Sequence, residues 1–398
     1  FIVSMLKSIL NCTCTKNYSF ELCNSITEVD IDAWNQLNTK NNIYLSTSYL
    51  TALETGMKHK MQFRYLTFFN KNKEAVGIAM FQIVSFQAKD LLQERIPCSI
   101  GDKIQSYFLN DKDLSLLICG NLYACGENGF SYTNSISRED FFEILLEAIT
   151  AIKNTKIEGS KISFSLIKEF WAHSLERINI IEKASFFDFN VDVNMILKMR
   201  PEWRAFDLYL ADMNTKYRTR AKAVFKKSKD IQQRSLSFDE IEARLVDIEI
   251  LYKQVLNKAD YNLGVLKVDT FIALKKELGD DFVFKGYFLE EKMIGFTSCF
   301  LYKGILDANF VGINYEYNNT YKLYQRMLYD FVSLAILHKK EEVRLGRTAE
   351  TSKSGVGALP VEMKLFAKHR NLLPSKLLQP LILSIKPNKF ELRKPFKN

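Results

Sequence analysis

The sequence predicts a mixed α/β (α+β) fold of two domains, each with a mixed central sheet flanked by helices. At 398 residues the chain exceeds the usual size of one domain, and helical and strand periodicities alternate along it. One order of elements (helices, a hairpin, a strand, a helix and a strand) occurs twice, offset by about 185 to 220 residues. We therefore expect domains related by internal duplication at 1–200 and 201–370, then a basic, apolar tail at 371–398.

Capping residues mark the helix starts of the first half. Asp30 and Ser46 each precede a segment with helical periodicity, and both side chains accept hydrogen bonds from the free amides that begin a helix. Aromatic and β-branched runs on either side of a polar turn predict a hairpin. The predicted elements are helices at 30–37 and 46–57, the hairpin at 62–86, a strand at 116–119, a helix at 137–153 and a strand at 161–166.

The second half repeats these elements and adds a basic helix. The hairpin has a charged turn, and the long amphipathic helix ends at Lys339 and Lys340, cations that suit a helix C-terminus. The predicted elements are a strand at 206–210, the basic helix at 214–229, the hairpin at 281–303, a strand at 308–313, a helix at 319–340, a strand at 343–347 and a polar loop at 348–357.

Two glycines set the alignment of the repeats. Placing Gly77 opposite Gly295 aligns residues 75–78 with 293–296, and it aligns 68–69 with 287–288 after a gap of one residue. Identity between the copies is slight, so the order of elements carries the duplication.

Composition restricts the chemistry. The net charge of +9 fits an anionic partner, namely a nucleotide-like donor, a phospholipid surface, an acidic carrier protein or tRNA, and DNA is not expected. Seven cysteines and four histidines show no metal-ligand spacing, so we expect no metal site. An odd number of scattered cysteines favours reduced thiols and a cytoplasmic protein.

The apolar segments predict no membrane span. The apolar start at 1–10 is shorter than the roughly 18 residues that a span requires, and it lacks the cleavage site of a signal peptide. The tail mixes leucines with lysines, so two placements stay open for it. It either lies peripherally on the anionic inner face of a membrane or covers the core.

The basic helix carries charge of one sign. A solvated helix face normally mixes signs, so this helix is either a surface that only solubilises the protein or one that binds an anion. We expect Arg218, Arg220 and Lys222 to contribute most to anion binding. Its cations are Lys216, Arg218, Arg220, Lys222, Lys226, Lys227 and Lys229.

The pattern resembles the GNAT superfamily, specifically the tandem-domain FemAB-like and BioF2-like acyltransferases. The doubled element order, the basic helix NTKYRTRAKAVFKKSK and the block ANFVGINYEYNNTYKLYQRMLYDFV followed by VRLGRT and KSGVGA carry the resemblance. It is good over 205–370 and weak over the first half.

The resemblance implies transfer of an acyl group from an acyl-CoA or acyl-carrier-protein thioester to an amine of an envelope or lipid precursor. No tightly bound cofactor is implied. Strand amides would polarise the carbonyl, and a base would deprotonate the incoming ammonium. Two alternatives stay open, which are transfer from aminoacyl-tRNA to a peptidoglycan precursor, as in FemAB-type relatives, and a non-catalytic anion-binding module.

One departure from the family pattern bears on the donor. Acetyl-CoA-dependent members carry a glycine-rich turn that holds pyrophosphate where the helix begins, whereas residues 317–321 here read YNNTY. Asparagine tolerates left-handed backbone, so an anion site remains compatible with this turn. The loss of glycine favours aminoacyl-tRNA or a long acyl thioester over acetyl-CoA.

Candidate site residues cluster in the second half. Glu316 is the candidate base, with Asp307 a weaker one, and Tyr324 is the candidate general acid. A solvated loop carboxylate, a core tyrosine and a structural salt bridge are the alternative roles. The candidate donor-binding and substrate-binding residues are Asn309, Asn318, Asn319, Thr320, Lys322, Arg347, Lys353, Arg218, Arg220 and Lys222.

Overall fold

The structure is a computed structural model that describes residues 10–87, 113–154, 161–176, 178–190, 192–258, 264–371 and 390–397. The chain forms two compact units, the first from residues 1–191 and 363–387 and the second from 192–362 and 388–398. The sequence places the divisions at 200 and 370 instead. The difference arises because short strands just before residue 200 and just before residue 370 each join the other sheet.

In the first unit, the capping predicted for two helices is present. The Asp30 carboxylate accepts the Ala33 N–H at 3.1 Å, and the Ser46 hydroxyl accepts the Tyr49 N–H at 3.3 Å. The elements are β1 Leu10–Thr13, β2 Ser19–Cys23, α1 Ile31–Leu37, α2 Thr47–Met57, β3 Gln62–Phe69, β4 Ala75–Gln87, β5 Asp113–Cys119, β6 Phe130–Tyr132, α3 Arg138–Asn154, β7 Ile162–Trp171, α4 Asn179–Lys183 and β8 Phe187–Asn190.

The second unit follows, and the chain then returns to the first sheet through one more strand. Its elements are β9 Asn194–Lys198, α5 Phe206–Asp212, α6 Thr215–Lys227, β10 Ile231–Ser235, α7 Phe238–Ala243, α8 Leu245–Leu256, α9 Asp269–Leu278, β11 Phe282–Leu289, β12 Lys292–Tyr302, β13 Ile305–Ile313, α10 Tyr315–Tyr321, α11 Leu323–Leu337, β14 Glu342–Arg344, α12 Glu350–Ser354 and β15 Leu359–Val361. The returning strand is β16 Met363–His369.

Seven strands of the first sheet, from β2 to β8 along its path, match the strand order of the second sheet. The first runs β1-β2-β3-β4-β5-β7-β16-β8, with β6 paired to β4, and the second runs β10-β11-β12-β13-β14-β9-β15. Among the described strands each sheet has one parallel pair, β5–β7 in the first and β13–β14 in the second. Beside each parallel pair lies a strand from a distant part of the chain, β16 or β9. The shared order confirms two copies of one architecture.

A β-bulge confirms the alignment of the copies. In the first sheet Phe68 pairs with Gly77, and the register then shifts so that the next pair skips one residue of β4. In the second sheet Tyr287 pairs with Gly295, and the same shift follows. The extra residue lies at the same place in both hairpins. The gap of one residue in the sequence alignment lies in the turn, where five residues separate Phe69 from Ala75 and four separate Phe288 from Met293.

Both aligned glycines make room for the helix that packs on their strand. A Cβ on Gly77 would lie 2.8 Å from the Phe141 ring of α3, and a Cβ on Gly295 would lie 2.6 Å from the Met327 methyl of α11. These helices occupy equivalent places in the two units, so the glycines are repeated for a packing reason.

The predicted strand at 206–210 is wrong, because this segment is helix α5. Phe206, Tyr209 and Leu210 fall at helical spacing and turn toward the core, whereas Leu208 is 49% exposed. The alternation of residues that suggests a strand at 206–210 does not reflect a strand in the structure. Tyr209 packs edge-on against the ring of Trp203.

The second sheet is covered on both faces. One face carries α8 and α9, and there the rings of Phe271, Phe284 and Phe296 pack together. The opposite face carries α5, α6 and α11 around a largely aliphatic core. The carboxyl end of β13 leads directly into α10 and α11.

Replacing the aligned glycines should destabilise the protein unequally. Gly77→Ala drives a methyl group into an aromatic ring, so we expect a loss of about 1–3 kcal/mol in the free energy of unfolding. Gly295→Ala should cost less, because the end of Met327 can move aside. Urea unfolding measures both, with Gly304→Ala as the control, since a Cβ there meets only the flexible end of Glu341. Wild-type stability in Gly77→Ala would contradict this packing.

Candidate active site

A wedge opens between the parallel strands β13 and β14. The strands pair only where 305–307 meets 342–344. Beyond this point β13 stays with β12, while Leu345 N–H donates to the Met195 carbonyl of β9. Residues 308–311 are half-buried although β13 lies inside the sheet, because the wedge leaves that edge uncovered.

A buried ionic cluster holds the closed end of the wedge. Arg344 Nε donates to Glu342 Oε1 at 2.5 Å, and Lys198 also pairs with Glu342. Burial favours the protonated acid, but the two cations prevail and hold the pKa of Glu342 below its ordinary value. Tyr302 OH donates to Asp307 at 3.4 Å. The candidate base Asp307 therefore lies in this closed cluster.

A bulge in β13 lies at the open part of the wedge. Thr297 pairs with Val311 and Cys299 with Ala308, so Ser298 alone opposes two residues of β13. The Ser298 hydroxyl accepts the N–H of Phe310 at 3.0 Å. The bulge thus redirects the backbone at the half-buried Asn309, where β14 no longer covers it.

Tyr324 lies in the first turn of α11, close to two other ionisable side chains. Burial, then the nearby Tyr315 and Glu350, raise the pKa of Tyr324 well above that of an ordinary tyrosine. The phenol therefore stays protonated at neutral pH and holds its proton more firmly than an ordinary tyrosine. Glu350, the first residue of α12, is only 9% exposed.

Sequence reasoning missed Glu350. The residue lies in the Thr-Ala-Glu-Thr-Ser run that predicts a polar loop, and the short helix α12 at 350–354 interrupts that loop. A carboxylate between small polar residues carries no periodic signal that separates it from a solvated loop residue. Its effect on the pKa of Tyr324 depends on tertiary structure alone.

The predicted helix at 319–340 is broken near its start. Lys322 has a left-handed φ of 54° and separates α10 from α11. Asn314 caps α10, and the Asn318 side-chain oxygen accepts the Tyr324 N–H at 2.9 Å. Asn318 thus occupies one of the amides that would otherwise hold an anion at the start of α11.

The remaining α10 candidates lie at the surface. Asn319 and Thr320 are exposed, and Glu316 is exposed in the first turn of α10. Glu316 adds a minor electrostatic contribution at Lys292, whose ammonium donates to Tyr317 OH at 3.0 Å. The structure therefore associates Tyr324 with Glu350, and Glu316 with the exposed side of α10.

Arg347 and Lys353 come together in the loop after β14. The buried Lys353 ammonium donates to the Arg347 carbonyl at 2.5 Å. Gly346, Thr348 and Ala349 around them all have positive φ. Lys353 therefore holds a tightly folded loop at the edge of the wedge, and its role in clamping a donor stays a prediction.

The basic helix α6 presents its cations to solvent. Ala221 and Val224 are buried, whereas Arg220 and Lys222 are exposed. Arg218 is half-buried and donates to the Ala211 carbonyl at 3.3 Å. The helix packs on α11 and α10, so its positive surface adjoins the helices that follow β13.

The equivalent strand pair of the first unit stays closed. β5 and β7 pair through Cys119 and Ile167, and the buried side chains that follow hold the loop after β5. Glu169 accepts the Gly126 N–H at 3.0 Å, and the Lys168 ammonium donates to the Ala124 carbonyl at 3.1 Å. The wedge of the second unit has no open counterpart among the described residues of the first.

The described residues include no group of His, Cys, Asp or Glu side chains that could hold a metal ion. Their helices are all too short or too polar to cross a bilayer.

In the tail, residues 372–389 fall outside the described ranges, so their predicted membrane contact does too. At its end, Phe396 packs against Trp203 and Tyr209 in the second unit.

The Glu342 cluster predicts an acid-sensitive second unit. Because the pKa of Glu342 in the folded state lies below its ordinary value of 4.5, stability is lost as pH falls below 4.5. Glu342→Gln should cost about 1–3 kcal/mol near neutral pH and should reduce the loss of stability in acid. Urea unfolding across this pH range tests it, with the exposed neighbour Glu341→Gln as control. An unchanged acid profile in Glu342→Gln would contradict the assignment.

Comparisons with known proteins identify the fold. No family model and no curated protein sequence matches the chain. FemX superposes with a TM-score of 0.52 at 11% identity, over 84% of this chain and 94% of FemX. A tandem GNAT protein from the clavulanic acid biosynthesis pathway gives 0.51 at 8% identity, over 88% and 99%. The C-terminal domain of a candidate lysylphosphatidylglycerol synthetase from Agrobacterium fabrum gives 0.50 at 8%, over 89% and 96%. The chain has the tandem GNAT fold, with two GNAT-like domains in one polypeptide.

Proposed function

We propose that this protein is an acyltransferase that moves an acyl group from an activated donor to an amine. The observation that carries the proposal is the wedge between β13 and β14, with a backbone bulge of β13 on one side. Tyr324 lies in the first turn of the helix that follows β13 and α10, and Glu350 is near enough to raise its pKa. A wedge of this kind can take an extended donor, because β13 and β14 do not pair beyond residues 307 and 344.

The reaction assigns a role to each group. The side of β13 that faces the wedge lies along the carbonyl of the donor, and its backbone dipoles stabilise the negative charge that develops on the oxygen when the amine attacks. Glu350 removes a proton from the incoming ammonium. A nitrogen–carbon bond forms and the bond to the leaving sulfur or oxygen breaks. Tyr324 passes its proton to that leaving group while it takes the second proton that the nitrogen loses, so the phenol is regenerated.

Glu350 is a stronger candidate base than Glu316. A carboxylate with little solvent exposure can exchange a proton with a bound amine without competition from bulk water, and Glu350 is buried whereas Glu316 is exposed. Glu350 also lies near Tyr324, so acid and base flank the same space. The proposed pair is therefore Glu350 and Tyr324.

The donor is an acyl thioester other than acetyl-CoA, carried by a long-chain acyl-CoA or by an acyl carrier protein. Its acceptor is an amine of an envelope or lipid precursor. The Asn318 side chain already takes a helix amide that the pyrophosphate of any coenzyme A thioester would need. An acyl-CoA donor would therefore depend on its long acyl chain for affinity, which acetyl-CoA lacks. The exposed cations of α6, Arg220 and Lys222 among them, supply the attraction for an anionic carrier.

Aminoacyl-tRNA is the second candidate donor. The same α6 surface favours it, since a row of exposed cations suits a polyanion. Two of the similar folds, FemX and the candidate lysylphosphatidylglycerol synthetase domain, also bear names that are consistent with this class. A non-catalytic anion-binding module is the remaining alternative.

Paired substitutions test the base. Glu350→Gln should lower kcat by about 10²–10⁴, because the ammonium then keeps its proton, and Glu316→Gln should leave turnover near wild type across the pH range. Steady-state kinetics with a small amine acceptor measures both. Normal turnover in Glu350→Gln with loss in Glu316→Gln would return the role to Glu316.

A donor screen tests the function. We expect stabilisation against thermal unfolding by long-chain acyl-CoA, acyl carrier protein or aminoacyl-tRNA, with little effect from acetyl-CoA. The combined change Arg220→Gln and Lys222→Gln should weaken the stabilising donor several-fold at low salt and less at high salt. The exposed Lys71→Gln and Lys73→Gln pair in the first unit is the charge-matched control. Stabilisation by no donor would favour the binding-module alternative.

A further inference from the structure

Helix α10 carries an aromatic surface that the proposed reaction does not use. Tyr317 and Tyr321 lie one helical turn apart, with ring centroids 6.2 Å apart and ring planes inclined by 30°. Both side chains are half-buried, so one side of each ring packs on the core while part of it stays open to solvent. Two adjoining rings at a surface offer a flat apolar area that is wider than one tyrosine provides.

Cations flank this surface. The exposed Lys292 donates to Tyr317 OH at 3.0 Å, and its ammonium lies 5.0 Å from the Tyr317 ring centroid. Lys322 follows Tyr321 directly, at the left-handed joint between α10 and α11. The pair of rings and the two ammonium groups together match a nucleotide, whose planar base stacks on an aromatic face while its phosphate attracts cations.

The location connects these rings to the candidate site. α10 begins two residues after β13 ends, and it packs against the basic helix α6. Its first residue, Tyr315, lies close enough to Tyr324 to contribute to the raised pKa of that phenol. A donor whose reactive end enters the wedge would therefore have its remote end near α10.

We propose that Tyr317 and Tyr321 form a stacking surface for the adenine base of the donor, with Lys292 and Lys322 beside its phosphate. The inference rests on the proposed function, and it extends it by favouring a donor that ends in an adenine nucleotide. Coenzyme A and the 3′ end of tRNA both do. The phosphopantetheine arm of a carrier protein does not.

Binding of 5′-AMP tests the surface without any reaction. We expect the wild-type protein to bind 5′-AMP about ten-fold more tightly than ribose 5-phosphate, which has the phosphate but lacks the base. Tyr317→Leu and Tyr321→Leu keep apolar packing and lose the aromatic face, so each should reduce AMP binding toward the level of ribose 5-phosphate. Tyr317→Phe and Tyr321→Phe keep the ring and should bind like wild type. Calorimetric titration measures all of these affinities.

Two results would overturn the proposal, namely equal affinity of the wild type for AMP and ribose 5-phosphate, or unchanged AMP binding in both leucine variants. Unfolding temperatures near wild type confirm that each variant is folded. Competition against AMP by coenzyme A or by an acceptor-stem RNA ending in CCA distinguishes the two nucleotide sources. If the wild type transfers no acyl group from any donor, the proposed function fails, and AMP binding still decides the stacking surface.

Discussion

The site of the second unit depends on where β13 and β14 stop pairing. The buried cluster of Glu342, Arg344 and Asp307 fixes that point, because charges removed from water must stay together to offset their desolvation. At residues 305–307 and 342–344 the two strands pair with each other. Toward their carboxyl ends, β13 continues to pair with β12, and Leu345 after β14 bonds to β9. The cluster therefore sets the depth of the wedge.

Within the described ranges, one of the two duplicated units carries such a wedge. The hairpins share their bulge and their packing glycines, so both copies keep the part of the fold that supports a helix on the sheet. They differ where the parallel strands end. The first copy fixes its loop with Lys168 and Glu169, whereas the second leaves half of β13 uncovered. Among the described residues, both copies retain the bulge and the packing glycines, and the opening lies in the second copy.

The sequence predicts most of the fold, because its elements depend on local signals. Caps at Asp30 and Ser46, both hairpins and the Gly77–Gly295 alignment are confirmed. The exchange of β9 and β16 between the sheets is not predictable in this way, since short strands are identified by their pairing partners and not by their own pattern. The segment 206–210 fails for a related reason, because a short run fits both periods.

The site is less predictable than the fold, because it depends on contacts between distant segments. Sequence reasoning selects Tyr324, Arg347 and Lys353, and their roles in the chemistry stay predictions. It also selects Glu316 because that residue precedes a helix, although burial favours Glu350 on another helix. The turn at Asn318 and Asn319 shows this dependence most clearly. Asparagine tolerates left-handed backbone, so the sequence is compatible with an anion site at this turn. In the folded chain Asn318 instead binds the helix amide itself, and this hydrogen bond removes one amide from the pyrophosphate site, so a donor with a coenzyme A moiety must gain its affinity from contacts elsewhere.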